Sequence, residues 1–446
     1  MNARIRQWWD QLRESFWLVP ASMVLMGIGL ALGLLAVDRR GWVPVSVGGS
    51  SWLYNGGGTG ARTLLGAIAS STIGVAGTVF SITIAALSLA AGQMGPRLLR
   101  NFTRDRGNQA TLGAFLGTFA YALMVLRSVR TQEEGAFTPH LSLSVGMLLA
   151  FGCVGTLVYF VGHMASRINV DTVIKLVSDD VRDAFDGLVV DHALIPRPDD
   201  GVWHDAVVIS DRRQGYLQQL DEEGLAAWAS ERHTALRLLV RRGDYIAPGA
   251  PIALMTVPVD GAAEAVRGAT ALGATRGSRG DPEQTVRQLV EVAVRALSPG
   301  INDPHTAMSV VGRLGAALCA LSGKTLPNGV HAPDGRLSLV VPTVSYESLC
   351  DVMFHMIRQN AEGHTAVLIK LIDAFTVVVA TEPDIDRHEV LGRHAMQVAA
   401  DAKRTVGNTE DLAELQRRVA RFLAIRSARA SAANLPSALL GLNTDA

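Results

Sequence analysis

Residues 63–96 read TLLGAIASSTIGVAGTVFSITIAALSLAAGQMGP, an uncharged run bounded by Arg62 and Arg97. A helix needs about 20 apolar residues to cross the roughly 30 Å hydrocarbon core of a bilayer. This run is longer than that, so its helix is expected to tilt, protrude or break near its glycines. Read in heptads, it places Ala67, Ser71, Gly74, Thr78, Ser81, Ala85, Ser88 and Gly92 on one seam. Every member is small, and four carry hydroxyls. Two readings compete. Small residues let another helix approach closely while their hydroxyls bond backbone carbonyls. Alternatively, the seam faces a water-filled path, within this chain or around the axis of an oligomer. No acid or base sits in mid-span, which argues against a proton relay or a charged selectivity ring.

Three further uncharged runs flank this one: Ser15 to Val37, the stretch between Arg106 and Arg127, and Leu141 to His163. Spans are expected over about 16–37, 64–92, 108–127 and 141–163. The first run exceeds the apolar region of a cleaved signal peptide, about 7–15 residues, and so reads as a retained helix. Ahead of it, Ile5, Trp8, Trp9, Leu12 and Phe16 recur at helical spacing, as in a helix lying at the membrane surface or in a plain extension of the span. Gly113 and Gly117 form a GxxxG spacing that favours helix packing.

Arginines set the expected orientation. The N-terminus carries Arg4, Arg6 and Arg13, and the loop between the second and third spans carries Arg97, Arg100, Arg104 and Arg106. The segment after the fourth span carries Arg167, Lys175 and Arg182. This bias places both termini and the C-terminal domain in the cytoplasm. The four loop arginines are candidate contacts for lipid phosphates, or simple positive-inside anchors.

The chain has 446 residues, with 41 basic and 41 acidic side chains, so no global field points to nucleic acid. Cys153, Cys319 and Cys350 are isolated, which excludes a zinc finger or a disulfide framework and suits a reducing compartment. No Walker loop, HExxH or nucleophile elbow occurs, so no cofactor and no metal is expected. His355 and His364 read as structural or solvated.

Beyond the spans, charges of both signs intersperse as on a solvated surface. Over 166–267 a linking helix with Val173, Leu176, Val177, Val181 and Phe185 on one face leads into a small β-module. Its strands are Ala206 to Ile209, Tyr216 to Gln218, Ala235 to Val240 and Pro251 to Met255, with turn chemistry at Gly243-Asp244 and Pro248-Gly249. The pattern looks like half of a lipoyl- or biotinyl-type sandwich. No lysine lies between Gly187 and Gly323, so it has no carrier residue. A glycine-rich linker, Gly268 to Gly280, separates the module from a helix-rich α+β domain over 281–428. A disordered tail is expected over 429–446. The fold class is thus a four-helix membrane domain followed by an α+β cytoplasmic domain with a small β-module.

The loop Ala296-Leu-Ser-Pro-Gly-Ile-Asn-Asp-Pro-His-Thr-Ala gathers Ser298, Asn302, Asp303, Pro304, His305 and Thr306. A catalytic reading makes His305 a base with Asp303 as its partner or as a metal ligand. The competing reading makes Asp303 an N-cap, Pro304 the first helical residue and His305 an exposed first-turn residue.

That loop, with Arg287 to Leu297 before it, and the stretch Thr78 to Phe102 both resemble the bacterial predicted-membrane-protein family called domain of unknown function 2254. The likeness runs in order through most of the chain. It implies an inner-membrane protein with few N-terminal spans and a cytoplasmic region, and it carries over no activity and no functional residue. Three functions follow as expectations. The first is a homo-oligomeric, channel- or transporter-like protein whose second span lines or packs around the axis. The second is a non-enzymatic scaffold or sensor binding a cytoplasmic partner. The third is an enzyme using the Ser298–Thr306 loop. The expected partners are membrane lipids and further copies of the chain.

Overall fold

A computed structural model describes residues 16–40, 57–94, 105–130, 137–168, 170–191, 194–276 and 281–433. It divides into two compact units, within residues 9–172 and 173–446. The expected surface helix before the first span, apart from Phe16, lies outside the described residues, as do Arg97, Arg100 and Arg104.

The first unit is four helices: α1 (Leu18–Arg40), α2 (Gly58–Met94), α3 (Arg106–Leu126) and α4 (His140–Ile168). All four are long and apolar enough to cross a membrane. At 1.5 Å per residue the 37 residues of α2 reach about 55 Å, well beyond a hydrocarbon core. The helix does not break at its glycines, so the excess length must be met by tilt or protrusion.

α3 is the central helix: 56% of its apolar window is buried, against 22% for α1 and α4 and 33% for α2. Its GxxxG pair explains part of this. A Cβ at Gly113 would strike the Met23 side chain, one at Gly117 would strike the Met23 carbonyl, and one at Gly27 would strike the Gly117 carbonyl. The α1 and α3 backbones therefore touch at Gly27 and Gly117, while Gly113 makes room for the Met23 side chain, the close approach that small residues permit. At the end of α1, Asp38 accepts hydrogen bonds from the Leu141 and Ser142 amides, at 3.2 and 3.0 Å, and from the Ser142 hydroxyl at 2.6 Å. It thereby supplies the capping acceptor that the first turn of α4 needs. The Tyr121 hydroxyl of α3 donates to the Ser142 carbonyl at 2.8 Å, which ties the same corner to a third helix.

The second unit begins within α5 (Val170–Asp186), whose Val173, Val177, Val181 and Phe185 are buried as the helical period requires. The β-module follows: β1 (Val207–Asp211), β2 (Gly215–Leu220), α6 (Glu222–Glu231), β3 (Leu236–Leu238), β4 (Tyr245–Ile246), β5 (Ala250–Met255), α7 (Ala262–Ala269) and β6 (Thr270–Gly273). Both turn glycines have positive φ, 92° at Gly243 and 81° at Gly249, a region that residues with a Cβ avoid.

Two expectations need correction here. The stretch expected as a linker from Gly268 to Gly280 begins with the end of α7 and then β6, which pairs antiparallel with β2 and closes the sheet β4-β2-β6. Nor is the module complete at residue 267. The other sheet runs β1-β5-β3-β8-β7, and β7 (Val330–His331) and β8 (Leu339–Val340) arrive from beyond two helices. The exposed edge of β3 needs a partner for its backbone groups, and β8 pairs with it in parallel.

The remaining helices are α8 (Pro282–Ala296), α9 (Pro304–Ala320), α10 (Tyr346–Asn360), α11 (Thr365–Thr381), α12 (Ile385–Thr405) and α13 (Thr409–Ala433). They form a bundle around α11, whose Val367, Leu368, Leu371, Ile372, Phe375, Val378 and Val379 are buried. The expected tail is corrected at its start, since α13 continues through 429–433. Residues 434–446 lie outside the described residues.

Candidate functional site

Of the expected seam on α2, Ala67, Ser71, Gly74, Thr78, Ser81, Ala85 and Ser88 are all exposed, and the surroundings of Gly92 lie outside the described residues. The opposite face, with Ala61, Leu65, Ile68, Thr72, Ala76, Val79, Thr83 and Ala86, is the buried one. Among the described residues, α1, α3 and α4 therefore leave the seam open, and it is not a packing surface within this chain. A Cβ at Gly74 or at neighbouring Gly77 would meet nothing within 4 Å. The hydroxyls bond the helix itself: Ser71 to the Ile68 carbonyl at 3.1 Å, Thr78 to Gly74 at 3.2 Å and Ser81 to Gly77 at 2.9 Å. These three donors are used inward, which leaves oxygen lone pairs on the open face.

The open faces of α1 and α4 also expose glycines, Gly29 and Gly33 on α1 and Gly152, Gly155 and Gly162 on α4, but without a comparable run of hydroxyls. They present Leu25, Met26 and Leu32, and Leu148, Phe151, Val154, Val158 and Val161, the large apolar side chains expected against lipid. On α2 the large exposed residues, Ile73, Phe80, Ile82 and Ile84, flank the seam.

A polar cluster that sequence reasoning missed lies where α3 begins and α4 ends. Asp105 caps α3, accepting from the Gly107 and Asn108 amides. His163 Nε2 lies 2.8 Å from its carboxylate, and the Tyr159 ring stacks on the imidazole at 5.3 Å. Gly107 makes room for this, since a Cβ there would meet His163, Asp105 and Tyr159. Asn108 and Thr111 are buried beneath, and their side-chain polar atoms have no partner. The one available sequence signal was Asp105 three residues ahead of the apolar run. Its partner, 58 residues on, carried no signal at all. Arg106, the candidate phosphate contact, opens α3 and is exposed.

The Ser298–Thr306 loop is committed to capping. Asp303 accepts from the Thr306 amide at 3.1 Å and from its hydroxyl at 2.6 Å, with Pro304 as the first helical residue. These hydrogen bonds, led by the Thr306 hydroxyl, hold the Asp303 carboxyl below the usual carboxylate range. Ser298 donates to the Arg295 carbonyl at 2.6 Å, Asn302 takes the left-handed conformation at φ 51°, and His305 is exposed. The capping reading accounts for this geometry, and no base–acid pair is assembled.

The bundle also brings together three residues that were not linked in sequence. Asp351 and His355, one turn apart on α10, meet His394 of α12 with their potential ligand atoms all within 4.8 Å of one another. His355, which reads from the sequence as structural or solvated, is one member of this group. The spacing of Asp351 and His355 was legible as one helix face, and the third member came only with the packing of α12. Burial, and next the neighbouring His355, push the His394 imidazole down to about 4.

Comparison with known proteins places these features in a family. A family model described as a predicted membrane protein (DUF2254) matches residues 13–377. An uncharacterised protein of Mycobacterium tuberculosis strain CDC 1551 is 31% identical over 432 residues, covering 91% of this chain and 79% of its own. Uncharacterised proteins of Mycobacterium bovis and of Mycobacterium tuberculosis strain H37Rv match to the same extent. No solved structure matches. With four membrane-length helices ahead of a mixed helical and β-sheet region, and with the match running through both, the chain belongs to the predicted-membrane-protein family DUF2254.

Proposed function

We propose that this membrane protein is a homo-oligomeric, channel- or transporter-like protein, non-enzymatic, in which the α2 seams of several copies converge around an axis. The observation that carries this reading is the open seam itself. α1 and α4 also expose small residues, Gly29 and Gly33 on the one and Gly152, Gly155 and Gly162 on the other, but the α2 strip adds a run of hydroxyls at Ser71, Thr78, Ser81 and Ser88, for which a purely lipid-facing helix has little use. Small residues allow backbones to approach across a subunit contact, and outward lone pairs can solvate water or a cation along an axis. The soluble unit, on the cytoplasmic side by the arginine bias, assembles or gates the spans. Arg106 supports the same sidedness. A cation at a helix N-terminus opposes the dipole, and a lipid phosphate would offset that cost.

The test is reconstitution into liposomes with ion-flux assays, comparing wild type with Ser81→Leu and Thr78→Leu. Flux in the wild type that both variants abolish, with assembly intact, is the expected result. No flux under any gradient from an intact oligomer would sink the reading.

A second reading, a scaffold or sensor, is favoured by one observation. A groove of about 880 Å³ on the soluble unit, lined by Arg197, Lys324, Tyr346, Glu382 and Arg387 among others, is roomy enough for a ligand or a peptide segment. Stoichiometric co-purification of a partner from a protein without flux would favour it.

A further inference from the structure

We infer that Asp351, His355 and His394 form a binding site for one divalent transition-metal ion of the Zn²⁺ class. The argument rests on four observations. The first is donor chemistry: two imidazoles and one carboxylate are a ligand set that suits zinc and its neighbours, and an open fourth position remains for water.

The second is distance. A tetrahedral ion with bonds of about 2.0–2.2 Å separates its ligand atoms by about 3.4 Å. His394 Nε2 lies 3.1 Å and His355 Nε2 3.5 Å from Asp351 Oδ1, on either side of that value. All three donors fit within 4.8 Å, so small side-chain rotations complete the set.

The third is an unexplained buried group. His394 is 1% exposed, and neither of its ring nitrogens has a hydrogen-bond partner. Nε2 lies 3.1 Å from Asp351 Oδ1, and Nδ1 faces no polar partner. Burying an imidazole without a partner is unfavourable, and donors that converge without bonding one another are what a shared cation would resolve. The ring is held among Phe354 and Phe375, 6.0 and 6.1 Å away, so its position is set by packing before any ion arrives.

The fourth is access and outer support. The Asp351 and His355 side chains are 36% and 34% exposed, so an ion can enter and keep a water. Arg393, itself paired with Glu347, donates to Asp351 Oδ1 at 3.1 Å. A ligating carboxylate is normally oriented by such an outer hydrogen bond. This site belongs to the soluble unit alone and stands whether or not the spans conduct.

The experiment uses the full chain, purified in detergent, freed of any affinity tag and stripped with a chelator. Equilibrium dialysis against ZnCl₂ followed by elemental analysis should find about one zinc per chain, and Co²⁺ should give the visible absorption of a tetrahedral site. His355→Ala and Asp351→Asn, both partly exposed and tolerable to the fold, should each weaken binding at least about tenfold with unchanged circular dichroism. His394→Gln serves as a third arm where it folds. Zinc content well below one per chain in the wild type would overturn the inference. So would equal retention by folded His355→Ala and Asp351→Asn, which would mark the zinc as adventitious.

Discussion

Replacing Gly27 by alanine tests the α1–α3 contact at its tightest point. The new Cβ would run into the Gly117 carbonyl, which is backbone and cannot rotate away. The helices must separate, or one must shift along the other. Overpacking of this kind costs about 1–3 kcal/mol. Against it stands the gain of alanine over glycine within a helix, about 0.5–1 kcal/mol. The net expectation is a loss of about 0.5–2 kcal/mol, the difference of those two ranges taken end for end. Controls lie on the same helix: a Cβ at Gly29 or Gly33 would meet nothing within 4 Å. Gly29→Ala and Gly33→Ala should therefore be neutral or slightly stabilising. The assay is reversible unfolding in mixed micelles by SDS titration, followed by circular dichroism, with all three variants in parallel. Should Gly27→Ala unfold no earlier than Gly33→Ala, the close backbone crossing would be wrong.

Three further outcomes are expected. Asp38→Ala removes the acceptor that caps α4 and should cost about 1–2 kcal/mol in the same titration, with Asp38→Asn recovering part of it. Asp211, buried against Arg213, has its carboxyl drawn below the usual range: burial works to raise it, but the Arg213 hydrogen bonds and charge prevail. A depressed folded pKa stabilises the protein above the unfolded value, about 3.9, and that contribution is lost as pH falls through the folded value. Asp211→Asn should thus be less stable than wild type in thermal melts at pH 6 and should approach it at pH 3; a pH-independent gap would speak against the pairing. Gly329 and Gly335 share φ 72°, but a Cβ at Gly329 would also strike the Val341 carbonyl while one at Gly335 would meet nothing. Gly335→Ala should cost about 1–2 kcal/mol for the left-handed backbone alone. Gly329→Ala should cost clearly more, and equal melting temperatures would refute the contact.

What the sequence determined by itself was local. The four spans were legible because lipid forbids charge over about 20 residues, a constraint that each segment satisfies alone. The cap at Asp303 was legible because the acceptor, the proline and the donated amide lie within four residues. The small seam of α2 was legible as a periodicity. Its openness was not, since that depends on which face the other three helices leave uncovered. Tertiary structure alone decided the contacts between distant residues. β8 joins β3 across a gap in sequence, because a bare strand edge takes whichever partner packing delivers. His163 reaches Asp105, Gly27 meets Gly117, and His394 completes a set with Asp351 and His355. None of these partners is marked in the chain: an ion pair, a backbone crossing or a ligand set needs only proximity, and proximity between helices is fixed by how their faces pack.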